Sequence, residues 1–326
     1  MGTILGFRRY LLWGALMIPA LLLPILRLPT FIYRIATLIF IYSCVNTGYN
    51  LLVGYCGIIS VAQAGFFGIG AYTAALMSIH LHTSFVVNVV AGALMAATLS
   101  ALLGLPILRL KGQYLVVATL GINQVISLVA CNAEFTGGPN GLPGIAAPSI
   151  LGISIASPTS LYYLNLGGLV LVTAVAALLV HSPVGRSMIA VREDQLAAEA
   201  IGINVGATKL LTFTLAAAIA GLAGGFYAHN GLYVSWQTFI PGESFIMLAM
   251  LTIGGMGTLA GPVLGTALLM ALPEALRSAS LYRFFLYGLA LSVVAPLWPG
   301  GLTGIRMKRK ASTATRALSS QGGSAA

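Results

Sequence analysis

Between residues 113 and 133 the chain reads QYLVVATLGINQVISLVACNA, without a single charged side chain. Runs of this kind recur at about 10–26, 35–53, 57–79, 84–108, 160–181 and 210–231. A longer, interrupted stretch follows at about 244–276, and a last run at about 283–299. An α-helix rises 1.5 Å per residue, so roughly twenty apolar residues match the ~30 Å hydrocarbon core of a bilayer. Within that core the backbone must satisfy its own hydrogen bonds, which makes each run a helix. The expectation is an all-α polytopic membrane protein with the lipid bilayer as its main solvent. Charge supports it: only 7% of the 326 residues are Asp, Glu, Lys or Arg, against about a quarter in a soluble domain.

A net charge of +10 would suit nucleic acid or the cytoplasmic flanks of membrane helices, and its distribution decides. The basic residues sit singly or in short groups: Arg8 and Arg9, Arg109 and Lys111, then Arg186, Arg192 and Lys209, and finally Arg306, Lys308, Arg309 and Lys310. By the positive-inside rule these segments face the cytoplasm, both termini included. The connections at 134–158 and 232–243 contain no Lys or Arg and belong outside. No nucleic-acid partner is expected. Arg8 and Arg9 resemble the start of a signal peptide, but Pro19 and Pro24 interrupt the run and no small-residue cleavage site follows, so it reads as a retained first helix.

Parity then constrains the count. From 232 to the basic tail the number of crossings must be odd, and splitting the long stretch at GGMGTLAGP (Gly254 to Pro262) gives three, for about ten in all. A re-entrant segment there would leave eight or nine. Residues 1–305 form the transmembrane domain on this reading, and 306–326 a basic, Ser/Ala/Gly-rich, disordered cytoplasmic tail.

One polar island breaks the pattern. Three of the six acidic residues, Glu193, Asp194 and Glu199, fall in REDQLAAEAIGINVGATK, between Arg192 and Lys209. The island lies in the longest cytoplasmic loop, 182–209. EDQLAAEA consists of strong helix formers with acids in the first turn, where the macrodipole favours them. Gly202 is placed to end the helix in a left-handed cap. Leu196 and Ala200 share a face at i, i+4, and Ile203 extends it. So short a helix is marginal alone, which favours a docked helix over a solvated link between two spans.

Uncharged polar residues collect in the second, third and fifth spans: Asn46, Asn50, Ser60, Gln63, Tyr72, Thr73, Thr119, Asn123 and Gln124. Such groups are costly in hydrocarbon and face an interior path or a neighbouring helix. A path lined by them suits a neutral or zwitterionic solute. Glycines recur at Gly65, Gly68 and Gly70, at Gly221 and Gly225, and at Gly261 and Gly265; small residues allow close helix packing, and those of the third span weaken it, so a broken or curved helix is expected there. Cys44, Cys56 and Cys131 have neither disulfide nor zinc spacing. The histidines His80, His82, His181 and His229 lack nearby carboxylates, so no metal site and no catalytic group is expected. No glycine-rich loop ends in Gly-Lys-Ser/Thr, so no ATP or other cofactor is bound by this chain.

Taken in order, NLLVGYCGIISVAQAGFFGIGAYTAAL, LRLKGQYLVVATLG, TGGPNGLPGI, SPVGRSMIAVREDQLAAEAIGIN, KLLTFTLAAAIAGLAGGFYA and LTIGGMGTLAGPVLGTAL resemble the M-type permease of branched-chain amino acid ABC importers. The resemblance runs from about Asn46 to Arg277. It implies an ABC importer permease fold in a bacterial inner membrane, paired with a homologous second permease to form the pore. It further implies two cytoplasmic ATPase subunits and a periplasmic or lipid-anchored solute-binding protein. The loop carrying Arg186, Arg192, Glu193, Asp194, Ala197, Ala198, Glu199, Ala200, Gly202 and Lys209 then corresponds to the segment that seats on the ATPase.

Two departures bear on the solute rather than the fold. Gly57 to Gln63 reads GIISVAQ where the family has Gly-Gln-Ile/Leu-Ser-Leu-Gly-His, and Gln124 stands where a Glu is frequent. Relatives also move urea, short amides and aromatic acids. An ion-coupled carrier acting alone is the alternative from another class; no acid within a confident span supplies its relay. An intramembrane enzyme lacks a Ser/His or paired-Asp arrangement.

Overall fold

The computed structural model describes residues 29–275, apart from 111, 151 and 152, together with positions 21 and 24. The expected spans at 10–26 and 283–299, the basic tail, and the terminal arginines and lysines lie outside the described residues. Ten helices are described: α1 Thr30–Asn50, α2 Gln63–His80, α3 Phe85–Ile107, α4 Gln113–Asn132, α5 Pro158–His181, α6 Pro183–Glu193, α7 Gln195–Ala200, α8 Val205–Gly231, α9 Pro241–Gly254 and α10 Gly261–Ala275. Five are long and apolar enough to cross a membrane: α1 with its extension to Tyr55, α3, α4, α5 and α8. The protein is an all-α membrane protein.

Close packing at glycine organises the centre. α8 lies against α2 and α3, and the three backbones meet at Gly70, Gly92 and Gly221. A methyl carbon added at Gly221 would stand 2.6 Å from the Gly92 carbonyl oxygen. Gly225, one turn along, faces Val89 of α3 at 2.9 Å. Without a solvent-driven hydrophobic force between helices in lipid, such backbone approach is what dispersion and packing can use. The outer flank of α3 (Val86, Val90, Leu94, Leu105) stays exposed, as a lipid-facing surface does.

The end of the bundle bearing the connections without Lys or Arg is tied together. β1 (Leu142–Pro143) pairs antiparallel with β4 (Tyr233–Val234), and β2 (Ser149–Ile150) with β3 (Ile153–Ser154). His229, buried near the end of α8, reaches the Ala146 carbonyl through Nδ1 at 2.9 Å and Asn88 of α3 through Nε2 at 3.2 Å. A ring nitrogen facing a carbonyl must donate, so Nε2 accepts from the Asn88 amide.

The apolar runs and the helices differ in two places. The run at 57–79 begins with irregular backbone, and α2 starts only at Gln63. The preceding α1 ends in a π-helical turn, Leu51–Tyr55. Irregular backbone is tolerated at membrane depth where protein surrounds it, and here its groups find partners. Val61 N–H donates to Thr119 Oγ1 at 3.0 Å, Ala64 N–H to Ser244 Oγ at 2.9 Å, and Tyr49 O–H to the Ser60 carbonyl. The stretch at 244–276 divides, as its glycines suggest, into α9 and α10 around residues 255–260. Gly254 packs on Gly261 and Gly265, and Gly265 on the Met250 carbonyl, so the two helices run antiparallel.

Candidate functional site

Three interruptions of regular helix meet at one place: the π turn after α1, the irregular stretch before α2, and the turn between α9 and α10. Asn50 pins them. Its Nδ2 donates to the Thr258 carbonyl at 2.8 Å and its Oδ1 accepts from Gly257 N–H at 2.8 Å. Arg192 joins from α6, donating through Nη1 to the Gly54 carbonyl. Gly57 and Gly257 both adopt positive φ, +75° and +72°, and an added Cβ at either would stand 3.0 Å from the Arg192 side chain. The Arg192 stem thus lies against Gly57 and its guanidinium against Gly257.

The polar loop forms two helices rather than one. Arg192 and Glu193 close α6, and Asp194 is the N-cap of α7, accepting from Leu196 N–H at 2.8 Å and Ala197 N–H at 3.1 Å. The expectation that Glu193 and Asp194 lie in the first turn of one helix is thus corrected. The Asp side chain takes backbone donors that a helix start leaves free, and this interrupts the chain between the two helices. At the other end Gly202 has φ +86°. Its N–H bonds the Glu199 carbonyl at 3.0 Å, and Ile203 N–H bonds the Ala198 carbonyl at 3.0 Å, the paired pattern of a Schellman cap.

α7 is seated from below and open above. Ala198 is 2% exposed and Ile203 packs against the core, while the buried Lys209 donates through Nζ to Gln195 Oε1 at 2.9 Å. Leu196 and Ile201 are 78% and 75% exposed, and Ala197, Glu199 and Ala200 are also exposed. Ile201, not Ile203, extends the outward face of Leu196. Arg186, in α6, is exposed.

The uncharged polar residues separate into groups. Asn46 donates to Thr266 Oγ1 of α10 at 2.8 Å, and Gln63 Nε2 to the Ala216 carbonyl of α8 at 3.1 Å. Ser60 Oγ accepts from Ala62 N–H at 3.3 Å, and Thr73 Oγ1 returns to the Ile69 carbonyl at 2.7 Å. With Asn50 and Thr119, these spend polar atoms on this chain's own backbone and helices. Asn123 and Tyr72 differ: both Asn123 amide atoms and the Tyr72 hydroxyl are buried without a hydrogen-bond partner. Asn123 faces Gly65 between α2 and α4, and the Tyr72 ring lies edge-on to Phe239 at 5.9 Å. Gln124 lies on the exposed side of α4. Gly68 receives Phe239, the end of a 3₁₀ turn (Trp236–Phe239). The Asn50 and Arg192 connections bridge residues more than a hundred apart, so no local pattern announces them.

Residues 31–294 match the model of the family described as branched-chain amino acid transport system / permease component. The high-affinity branched-chain amino acid transport system permease protein LivM of Escherichia coli strain K12 is 34% identical over 293 residues, covering 82% of this chain and 69% of that protein. LivH of Salmonella typhimurium, a permease of the same kind of system, is 27% identical over 81% of this chain and 91% of its own length. The autoinducer 2 import system permease protein LsrC of Klebsiella pneumoniae is 29% identical over 195 residues, 56% of this chain and 54% of that protein. No solved structure matches. This chain belongs to the branched-chain amino acid transport system permease family, on its M-type branch, as a multi-pass inner-membrane permease subunit of an ABC importer.

Proposed function

We propose that the permease moves branched-chain or other hydrophobic amino acids inward, and that α7 is the handle by which cytoplasmic ATPase subunits drive it. One observation carries the reading. A six-residue helix, capped at both ends and seated on Ala198, holds Leu196 and Ile201 out at 78% and 75% exposure. Isolated helices this short are marginal in water. Two caps and a buried alanine maintain this one, and its outward apolar side chains suit a helix laid into a partner's groove. Loop 182–209 is then cytoplasmic, both termini with it, and the end whose connections lack Lys and Arg faces a solute-binding protein. The transmembrane domain, 1–305 in about ten spans, leaves 306–326 as a cytoplasmic tail. The relatives' part in high-affinity branched-chain amino acid transport supports the solute class.

A homologous second permease completes the path. Inside this chain most polar side chains fix helix ends and breaks. The exposed side of α4 carries Gln124 beside Gly121, where an added Cβ meets nothing within 4 Å, which supports a path between the two permeases. Asn123 and Tyr72, and the Oδ1 of Asn46, are buried polar groups left unpartnered and so available to solute or water. The test is Glu199→Arg in the importer purified with its partners. The ATPase subunits should dissociate and uptake cease while the permease stays in the membrane; unchanged uptake excludes α7 as the handle.

A further inference from the structure

The bond between Arg192 and Gly54 serves neither the handle's own caps nor the core. Arg192 occupies the last turn of α6, three residues before α7 begins at Gln195, separated from it only by Glu193 and the N-cap Asp194. Its side chain, exposed for much of its length, reaches from the loop to the last turn of the π helix that ends α1. A carbonyl there lacks the onward helical donor, and the negative end of the macrodipole favours a cation. The same guanidinium borders Gly257 of the α9–α10 turn, which Asn50 binds to α1. Gly57, first residue of the irregular stretch before α2, borders its stem. One side chain thus touches the three places where the transmembrane helices lack regular hydrogen bonding and deform most readily.

We infer that Arg192 is a positioning residue for transport, transmitting displacement of α6–α7 to the helix breaks at Gly54, Gly57 and Gly257. The inference rests on the reading of α7 as the ATPase handle. Displacement of the loop reaches α1 through its packing along α5 and α8, but that packing holds the length of the helix and not the breaks themselves. Arg192 supplies a direct polar tie from the loop to the break at Gly54.

The test uses the importer purified with its partners in lipid nanodiscs and vesicles, comparing Arg192→Gln, Arg192→Met, Arg192→Lys and Glu199→Arg. Co-purified ATPase, ATP hydrolysis and solute taken up per ATP are measured. Arg192→Gln and Arg192→Met should retain ATPase and hydrolyse ATP within about twofold of the parent, while uptake per ATP falls roughly tenfold. Arg192→Lys, which keeps a charged donor on a long stem, should recover at least about half of the parent ratio. Uptake per ATP unchanged in Gln and Met overturns the inference, and so does a Lys variant no better than Met. Loss of ATPase from the Gln and Met complexes would make Arg192 a docking residue instead, and failure of both to accumulate would make its role folding; either result overturns it. If Glu199→Arg keeps its ATPase, the handle reading fails independently of the Arg192 outcome.

Discussion

Asn50 Oδ1 accepts the Gly257 N–H at 2.8 Å across 207 residues of sequence, and the same amide donates to Thr258. Two backbone groups in the α9–α10 turn, which has no helical partner for them, are satisfied by one side chain of α1. A net hydrogen bond is worth about 0.5–1.5 kcal/mol, and leaving a buried group unpaired costs about 1–3 kcal/mol. Asn50→Leu should therefore destabilise the detergent-solubilised protein by about 2–4 kcal/mol, read as a lowered midpoint in thermal unfolding. Asn50→Asp, which keeps the acceptor, should lose less.

The meeting of α2, α3 and α8 predicts a contrast between glycines. Gly221→Val places side-chain atoms against the Gly92 carbonyl and Ala96, and overpacking of this kind costs about 1–3 kcal/mol or more. The permease should fail to accumulate in the membrane. Gly167 in α5 has nothing within 4 Å of its Cβ position; Gly167→Ala should accumulate normally and gain up to about 1 kcal/mol from helix propensity. Immunoblots of membrane fractions with thermal midpoints distinguish the two.

Asn123 separates stability from transport. Its buried, unpartnered amide is a desolvation penalty of about 1–3 kcal/mol. Asn123→Leu should hold or raise the thermal midpoint while lowering solute uptake severalfold. A raised midpoint with full uptake would return Asn123 to a packing role.

Asp194 tests the handle's construction. Asp194→Ala removes both cap bonds to α7 and should cost the helix about 1 kcal/mol, weakening ATPase-coupled uptake in proportion. Asp194→Asn preserves an acceptor oxygen and should transport like the parent. Equal loss in both would make the charge, not the cap, the active feature.

How much of this was legible in the sequence follows from the range of each interaction. The helices of α3, α4, α5 and α8 follow from apolar length alone, because hydrocarbon forces backbone bonds inside each segment. The division at Gly254–Pro262 and the left-handed end at Gly202 follow from local glycine chemistry. The glycines of the third span signal a break or a curve, but not how far the irregular backbone runs: GYCGIISVA is apolar enough to pass for helix, and Thr119, Ser244 and Tyr49, distant in sequence, satisfy what the helix would have. The functions of Asn46, Asn50 and Gln63 are similarly hidden, since an intramembrane amide reads the same whether it faces a solute or a carbonyl. Asp194 is the instructive near case. Its acidity pointed to a helix start, but its cap geometry set that start at Gln195, two residues later than charge alone suggested.

The central claim, that α7 is gripped from the cytosol by an ATPase, is tested most directly at Leu196, the most exposed large apolar side chain on α7. Leu196→Cys is introduced into a variant lacking Cys44, Cys56 and Cys131, and sealed vesicles of each orientation carrying the assembled importer are treated with a membrane-impermeant bifunctional thiol cross-linker. The account predicts an adduct between permease and ATPase formed only when the cytoplasmic face is outward. Labelling of the residue from the periplasmic face alone would contradict it.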